Sequence, residues 1–373
     1  MNRREFLGAA SVVLSERIRA ASKARSGPAF DYDSAWVIDG LGTIDDPSPG
    51  DLPESPPSTQ LVRDLAECGI TAVNVTLEVG TSGDLFARTV AKIASFDEKV
   101  AAAEHVLTRV RSYSDLQRAK QTHRVGLIYN VQNTLWLESD LARVATLQAL
   151  GLRQVQLTYN VRNAVADGCL EPSDAGLSHL GRDLVAELGR SRVVMDLSHA
   201  GRTTIAQAIA LASRPPVISH TGCRDLNDHP RNVFDTELRA LADKGGVVGI
   251  YFMPFLAKEG TAHDADLIRH LEHAVSVCGE DHVGLGTDGC ISTVTLDDEY
   301  RERLRRKAAT RAARGVAAPN EGADAYELIP EYNGPGKFRR LAADLARRGW
   351  PDPRIAKILG GNFARVYREV WGI

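Results

Sequence analysis

Two histidines close consecutive apolar segments of this sequence. His199 ends "VVMDLSH" and His220 ends "PVISHT", and both segments are typical of buried strands. Neighbouring strands lie about 4.8 Å apart, so two imidazoles at the same depth can converge on one metal ion. Asp288, after "GLGT", can add a carboxylate ligand or a general base from across the same opening. The pattern predicts metal-assisted hydrolysis.

The loop after the second histidine carries a candidate substrate anchor. In "ISHTGCRDLNDHPRN", Arg231 follows His220 closely, and arginine is suited to bidentate recognition of a carboxylate. We expect it to bind the acidic end of a substrate, and a surface salt bridge is the alternative. His229 lies on the same loop and is a weaker candidate. The sequence contains no phosphate-binding loop and no GxSxG elbow, so nucleotide and serine-hydrolase chemistry have no support.

The elements that must position these residues form a repeated pattern. From about residue 33, short apolar runs alternate with longer amphipathic ones, which predicts βα units around a parallel sheet. The predicted strands are "AWVIDG", "ITAVNVTLE", "VGLIYNVQ", "QVQLTYN", "VVMDLSH", "PVISHT", "VVGIYFM" and "HVGLGTDG". Eight strands predict an α/β fold of the (β/α)8 barrel type, a single domain over residues 31–373. Such barrels carry their catalytic groups at the C-terminal ends of the strands.

A basic insertion follows the last predicted strand, at about residues 291–337. It contains "EYRERLRRKAATRAARG", a helix whose charges predict a solvated face. Because it leaves the catalytic side of the barrel, a lid or a subunit contact is the alternative, and a subunit contact would imply a homodimer.

Composition excludes several classes of function. The 373-residue chain has a formal net charge of −3 and a pI near 6.4, so it offers no global basic field to nucleic acid or an anionic membrane. No segment approaches the roughly 18 apolar residues that cross a bilayer. The five cysteines are widely spaced and form no CxxC pair, which argues against a disulfide framework and a thiolate zinc site. The expected partner is a small-molecule substrate.

Residues 1–30 are typical of a degenerate twin-arginine leader. Arg3 and Arg4 precede a short apolar run, as in bacterial export signals of this type. The run ends early, because Glu16 and Arg17 interrupt it. We expect a periplasmic protein if the leader works and a cytoplasmic one otherwise.

Several long motifs occur along residues 33–373. They are "MDLSH", "PVISHTGCRDLNDHPRNV", "GGVVGIYF", "DHVGLGTDG" and "IAKILGGNFARV". Together they resemble the membrane (renal) dipeptidases, which are metallopeptidases within the barrel amidohydrolases. The resemblance implies a (β/α)8 barrel with a binuclear zinc centre that hydrolyses dipeptides.

Four residues match the functional positions of that family. His199 and His220 match the two histidines of one zinc site. Arg231 matches the arginine that binds the substrate carboxylate, and Asp288 matches the aspartate near the nucleophilic water.

Four other positions depart from the family pattern. The family's "DGHND" is here "DGLGT", so Leu41 and Thr43 occupy the positions of the His-x-Asp ligands of the other zinc. Gln132 stands where the bridging glutamate is expected and would coordinate weakly. Tyr159 replaces a histidine that assists at the substrate carbonyl. The resemblance therefore implies at most one zinc, and a metal-free site is the alternative.

These observations predict a hydrolase that cleaves an amide in a dipeptide or a modified amino-acid derivative. In that hypothesis Asp288 accepts and returns the proton, and Tyr159 donates to the developing oxyanion. Two alternatives remain: a repurposed barrel with non-hydrolytic acid-base chemistry, and an inactive barrel that retains only carboxylate binding.

Overall fold

The computed structural model describes residues 30–45, 56–77, 83–322 and 324–372. Almost all of the predicted leader lies outside these ranges. The strands of the described chain are all parallel, and their bounds are β1 Ile38–Gly42, β2 Ala72–Thr76, β3 Leu107–Arg109, β4 Val125–Val131, β5 Leu152–Gln156, β6 Val194–Asp196, β7 Val217–Thr221, β8 Val247–Ile250 and β9 Val283–Leu285.

Eight of these strands form the predicted barrel. Their order is β1-β2-β4-β5-β6-β7-β8-β9, and the ring closes beyond the ends of β1 and β9, where Thr43 and Cys290 form a parallel bridge. The amide nitrogen of Thr43 donates to the carbonyl of Gly289 at 3.0 Å, and that of Ile291 donates to the carbonyl of Thr43 at 3.3 Å. The (β/α)8 prediction is confirmed.

The strand β3 was not expected. It pairs with the first half of β4, from Leu107 opposite Val125 to Arg109 opposite Leu127, and lies off the barrel path. Its sequence, LTR, has one apolar side chain and therefore forms no apolar run.

Helices alternate with the strands around the barrel. Their bounds are α1 Thr59–Cys68, α2 Leu85–Ala102, α3 Tyr113–Gln121, α4 Ala142–Ala149, α5 His179–Arg190, α6 Arg202–Leu211, α7 Asp235–Asp243, α8 Asp264–Cys278, α9 Asp298–Ala313, α10 Lys337–Arg347, α11 Asp352–Leu359 and α12 Gly361–Trp371. Side-chain caps fix several helix starts: Ser58, Asp84, Ser112, Ser178 and Asp297 each accept a hydrogen bond from a backbone amide of the first turn. Within the described residues, no helix is both long and apolar enough to cross a bilayer.

The interior of the barrel changes from apolar to polar along the strands. One buried cluster joins strand residues such as Ile128 and Val194 to Phe363 of α12, which closes the N-terminal end. Two positions farther along the same strands, Asn130 and Asp196 are buried. Because side chains of a strand alternate between its faces, these polar residues share the inner face with the apolar layer. The polarity therefore increases toward the C-terminal ends, where the site is expected.

Candidate active site

The two predicted histidines meet at the mouth of the barrel. His199 follows β6, His220 lies in β7, and their Nε2 atoms are 2.9 Å apart. Both side chains are buried. The predicted strand "VVMDLSH" is shorter than expected, since β6 ends at Asp196 and the backbone of His199 is left-handed, with φ of 64°. That turn directs the imidazole toward its neighbour.

The tautomer of His199 is set by Asn160. The amide nitrogen of Asn160 donates to the carbonyl of Val316 at 2.7 Å, so its oxygen is the atom that lies 2.5 Å from His199 Nδ1. An amide oxygen can only accept, so Nδ1 carries the proton. The Nε2 of the neutral ring is therefore left with a free lone pair.

The tautomer of His220 is set by a chain of hydrogen bonds that ends on Asp196. The hydroxyl of Ser219 donates to Asp196 Oδ2, and that of Ser198 donates to Asp196 Oδ1 at 2.8 Å. With its own proton given to the carboxylate, Ser219 Oγ accepts from His220 Nδ1, which lies 2.8 Å away. The Nε2 of His220 also carries a free lone pair.

Two lone pairs that converge in a buried site fit one cation. Burial lowers the pKa of both imidazoles well below their usual range, and the charge of Arg231 lowers these pKa values further. Neutral imidazoles are the form that binds metal, and their outer nitrogens are fixed as in metal sites. His199 and His220 thus fit one divalent ion with two protein nitrogens. Across the described ranges, no cluster of three or more His, Cys, Asp or Glu side chains is placed to hold a metal.

Among the described residues, the opposite side of the mouth has no second pair of imidazoles. Leu41 is 1% exposed and packs in β1, while the backbone of Thr43 closes the ring with Gly289. Gln132 follows β4, and its amide nitrogen donates to Thr76 Oγ1 at 2.7 Å. Its amide oxygen can offer a lone pair to a cation but carries no charge.

Asp288 lies beyond β9 in a left-handed conformation, with φ of 54°. Its amide nitrogen donates to the carbonyl of Leu41 at 2.8 Å, and the preceding Thr287 is held by the buried carboxylate of Asp39. Burial raises the pKa of Asp288 to about 6, with Lys307 and Arg231 opposing the rise. A carboxylate with that pKa is ionised at neutral pH and can accept a proton.

Tyr159 lies against His199, with ring centroids 4.2 Å apart and the rings 24° from parallel. The predicted strand "QVQLTYN" is too long, because β5 ends at Gln156 and Tyr159 instead forms an isolated antiparallel bridge with Val161. The left-handed Asn160 makes this turn, with φ of 60°. Burial raises the pKa of Tyr159, so its hydroxyl is protonated and available as a donor.

Arg231 is 4% exposed, and its Nη2 donates to the carbonyl of His220 at 3.4 Å. In the part of the chain that the structure describes, no carboxylate forms an ion pair with its guanidinium. The neighbouring Arg224 pairs with Asp228 instead. His229 has a structural role: its Nε2 donates to the carbonyl of Pro319, and its ring stacks on Phe255.

The basic insertion adds residues to the site that no sequence motif marks. Arg311, on α9, donates to the hydroxyl oxygen of Tyr159 at 2.7 Å and pairs with Glu321 at 2.6 Å. Most other arginines of α9 are exposed, as the charge pattern predicts. Nothing in the local sequence separates Arg311 from them, because its contact depends on how the insertion folds back over the barrel.

The chain is similar to proteins of one family. The family model described as membrane dipeptidase (peptidase family M19) matches residues 59–299. An amidohydrolase of known structure from Pseudomonas aeruginosa is 31% identical, with a TM-score of 0.77 over 92% of this chain and 98% of that one.

Two further relatives agree with this match. The dipeptidase verJ of Clonostachys rogersoniana is 27% identical over 265 residues, which are 70% of this chain but only 59% of that protein's length. A metallo peptidase from Rhodobacter sphaeroides, solved with a phosphinate mimic of the dipeptide L-Ala-D-Ala, shares the fold at 18% identity and a TM-score of 0.72, over 90% of this chain and 99% of that one.

Proposed function

Because the chain belongs to the membrane dipeptidase family, we propose that it hydrolyses an amide bond in a dipeptide or a modified amino-acid derivative and uses one zinc ion rather than two. The observation that carries this proposal is the convergence of the His199 and His220 Nε2 atoms, both with free lone pairs. Catalytic zinc sites have three protein ligands and one open position, and Gln132 is the weak third ligand in this proposal.

Arg231 supports a substrate with a free carboxylate. Its buried guanidinium lies beside the carbonyl of His220 without a carboxylate of the described chain to balance its charge. A buried unpaired cation is costly, and an incoming carboxylate removes this cost while it fixes the substrate in place. We infer that the C-terminal carboxylate of a dipeptide occupies this position.

The other catalytic roles in this proposal belong to side chains of the protein itself. When bound, a divalent ion supplies Lewis acidity and lowers the pKa of water. Asp288, ionised above about pH 6, accepts a proton from the attacking water and returns it to the leaving amine. The Tyr159 hydroxyl donates to the carbonyl oxygen as negative charge develops on it. Arg231 holds the carboxylate, so the scissile bond is presented in one orientation.

A zinc count and a substrate panel test this proposal together. Protein purified without chelators should contain about one zinc per chain. It should cleave dipeptides with a free C-terminal carboxylate much faster than the same dipeptides amidated at the C-terminus. Arg231→Gln should remove most of that preference by raising KM for the free acid.

Two results would contradict the proposal. Absence of both bound metal and turnover across the panel would favour the alternative of non-hydrolytic chemistry or carboxylate binding alone. A content of two ions per chain, on the other hand, would show that the side of the mouth with Leu41 and Gln132 binds metal after all.

A further inference from the structure

We propose that Arg311 is a positioning residue of the active site, which holds the Tyr159 hydroxyl so that its proton points to the substrate carbonyl. This proposal rests on the hydrolytic function proposed above. It gives one residue of the basic insertion a role in the active site, while the exposed arginines of α9 have none.

The direction of the hydroxyl proton follows from the chemistry of arginine. A guanidinium has donors and no acceptor, so in the 2.7 Å contact with Arg311 Nη1 the phenol oxygen of Tyr159 must accept. The phenolic proton cannot lie along that contact and is left to donate elsewhere. The ring itself is held by stacking on His199 and by the Arg311 guanidinium, 5.4 Å from the ring centroid.

Arg311 is itself fixed by its own insertion. Its Nε and Nη2 donate to the two carboxylate oxygens of Glu321, at 2.6 and 2.9 Å, and Nη2 also donates to the carbonyl of Val316 at 3.1 Å. Glu321 accepts in turn from the amide nitrogen of Ala318 at 3.0 Å. A bidentate pair of this kind fixes the plane and the direction of the guanidinium. The remaining donor group of the guanidinium, Nη1, is thereby directed toward the Tyr159 hydroxyl.

The same carbonyl links Arg311 to the histidine pair. Val316 O accepts from Arg311 and also from Asn160 Nδ2, and Asn160 sets the tautomer of His199. One backbone group of the insertion therefore orients both the oxyanion donor and a proposed metal ligand. Arg311 touches neither the reacting atoms nor the histidines in this arrangement, so it acts through Tyr159.

The competing explanation is that Arg311 only braces the insertion against the barrel. The two explanations differ in how Arg311 depends on the Tyr159 hydroxyl, which a double-mutant cycle measures. If Arg311 acts through the hydroxyl, its removal has no further effect once the hydroxyl is gone. If it braces the fold, its removal has the same effect in both backgrounds.

The experiment measures kcat and KM on a cleaved dipeptide for four proteins: wild type, Arg311→Met, Tyr159→Phe and the double variant. Loss of one oxyanion donor costs about 10²–10³-fold in kcat, so we expect that loss for Tyr159→Phe. Arg311→Met should leave the Tyr159 hydroxyl without a fixed orientation. We therefore expect kcat to fall at least about tenfold, with KM little changed. In the Tyr159→Phe background, Arg311→Met should cost less than about twofold.

Two further variants complete the test. Arg305→Met, which removes an exposed α9 arginine paired with Glu302, should leave kcat unchanged. Glu321→Gln should lower kcat by less than Arg311→Met, because it weakens the bidentate pair but leaves the Arg311 guanidinium in place. Thermal unfolding is measured for every variant.

Equal losses of kcat from Arg311→Met in both backgrounds would overturn this proposal and leave the hydrolytic function standing. Absence of turnover by the wild type would overturn both. A loss in kcat confined to the background with the hydroxyl supports the positioning role, even if Arg311→Met also lowers the unfolding temperature.

Discussion

The two sides of the barrel mouth differ in the residues that stand at the expected ligand positions and in how those residues are supported. On the side of β6 and β7, His199 and His220 each have an outer nitrogen fixed, by Asn160 and by Ser219. On the side of β1, the equivalent ligand position is Leu41, a core side chain that is 1% exposed. One side presents two ring nitrogens with free lone pairs, and the other presents a core side chain.

This difference extends to the buried carboxylate behind each side. Asp196 accepts hydrogen bonds from Ser198, Ser219 and Gln154, which fixes β5, β6 and β7 around one carboxylate. On the opposite side, Asp39 is buried too, but its carboxylate accepts from Thr287 and Leu41 and so supports the backbone before Asp288. The same residue type thus supports the histidine pair on one side and the backbone before Asp288 on the other.

The largest expected effect comes from breaking the histidine pair. His199→Ala removes one of the two converging nitrogens, so bound zinc should fall from about one per chain to near zero. Metal catalysis contributes several kcal/mol, and about 4 kcal/mol is a thousandfold, so kcat/KM should fall at least that much. Metal analysis and dipeptide kinetics check this. His105→Ala, at an exposed histidine outside the site, should keep both zinc and activity. Zinc that stays at full occupancy in His199→Ala would place the ion elsewhere.

The next effect concerns the base on the β9 side. Because the pKa of Asp288 is raised to about 6, its basic form prevails above that pH. The rate should therefore fall as pH decreases below about 6, tenfold per unit for a single required base. Asp288→Asn should lower kcat by about 10²–10⁴-fold and abolish this acid limb. The measurement is kcat/KM between pH 5 and 8 for both proteins. An unchanged acid limb in the variant would assign that limb to another group.

The fold could be predicted in large part because barrel strands are apolar runs of ordinary length. Eight of them stand out in the sequence, whereas β3, with the sequence LTR, forms no apolar run. The ends of "VVMDLSH" and "QVQLTYN" could not be predicted. The strands end at Asp196 and Gln156, and no sequence signal marks the left-handed conformations of His199 and Asn160 beyond them. In the sequence, a residue just past the end of a strand cannot be distinguished from a residue within the strand.

The site was predictable only where its residues are close to strand ends. His199, His220 and Asp288 follow apolar runs, so barrel geometry alone places them at the mouth. Arg311 is 152 positions from Tyr159 and lies in a run of charges, where no local pattern marks one arginine. Its contact with Tyr159 forms only when the insertion folds back over the barrel.

A smaller effect tests the supporting shell of the histidine pair. Ser219→Ala removes the group that accepts from His220 Nδ1, while His220 itself remains. Loss of such an outer partner weakens metal binding by about 10–100-fold, so zinc should still bind but exchange readily with a chelator. Competition titration with a chromophoric chelator measures this affinity. Thr204→Ser is a matched control, since it keeps the buried hydroxyl that donates to Asp167 O. An unchanged zinc affinity in Ser219→Ala would mean that the outer shell does not tune this site.

The smallest expected effect on zinc comes from the opposite side. Thr43 contributes to ring closure through its backbone, so Thr43→Val should leave the zinc content and affinity within about twofold of wild type. Leu41→Ala should also keep the zinc, although it opens a cavity in the core and should lower the free energy of unfolding by about 2–5 kcal/mol. Zinc counts combined with denaturant unfolding separate these two consequences. In a centre with ligands on both sides, either change would reduce metal content together with activity. A fall in zinc without loss of stability would therefore show that β1 still takes part in metal binding, and the contrast between the two sides would no longer hold.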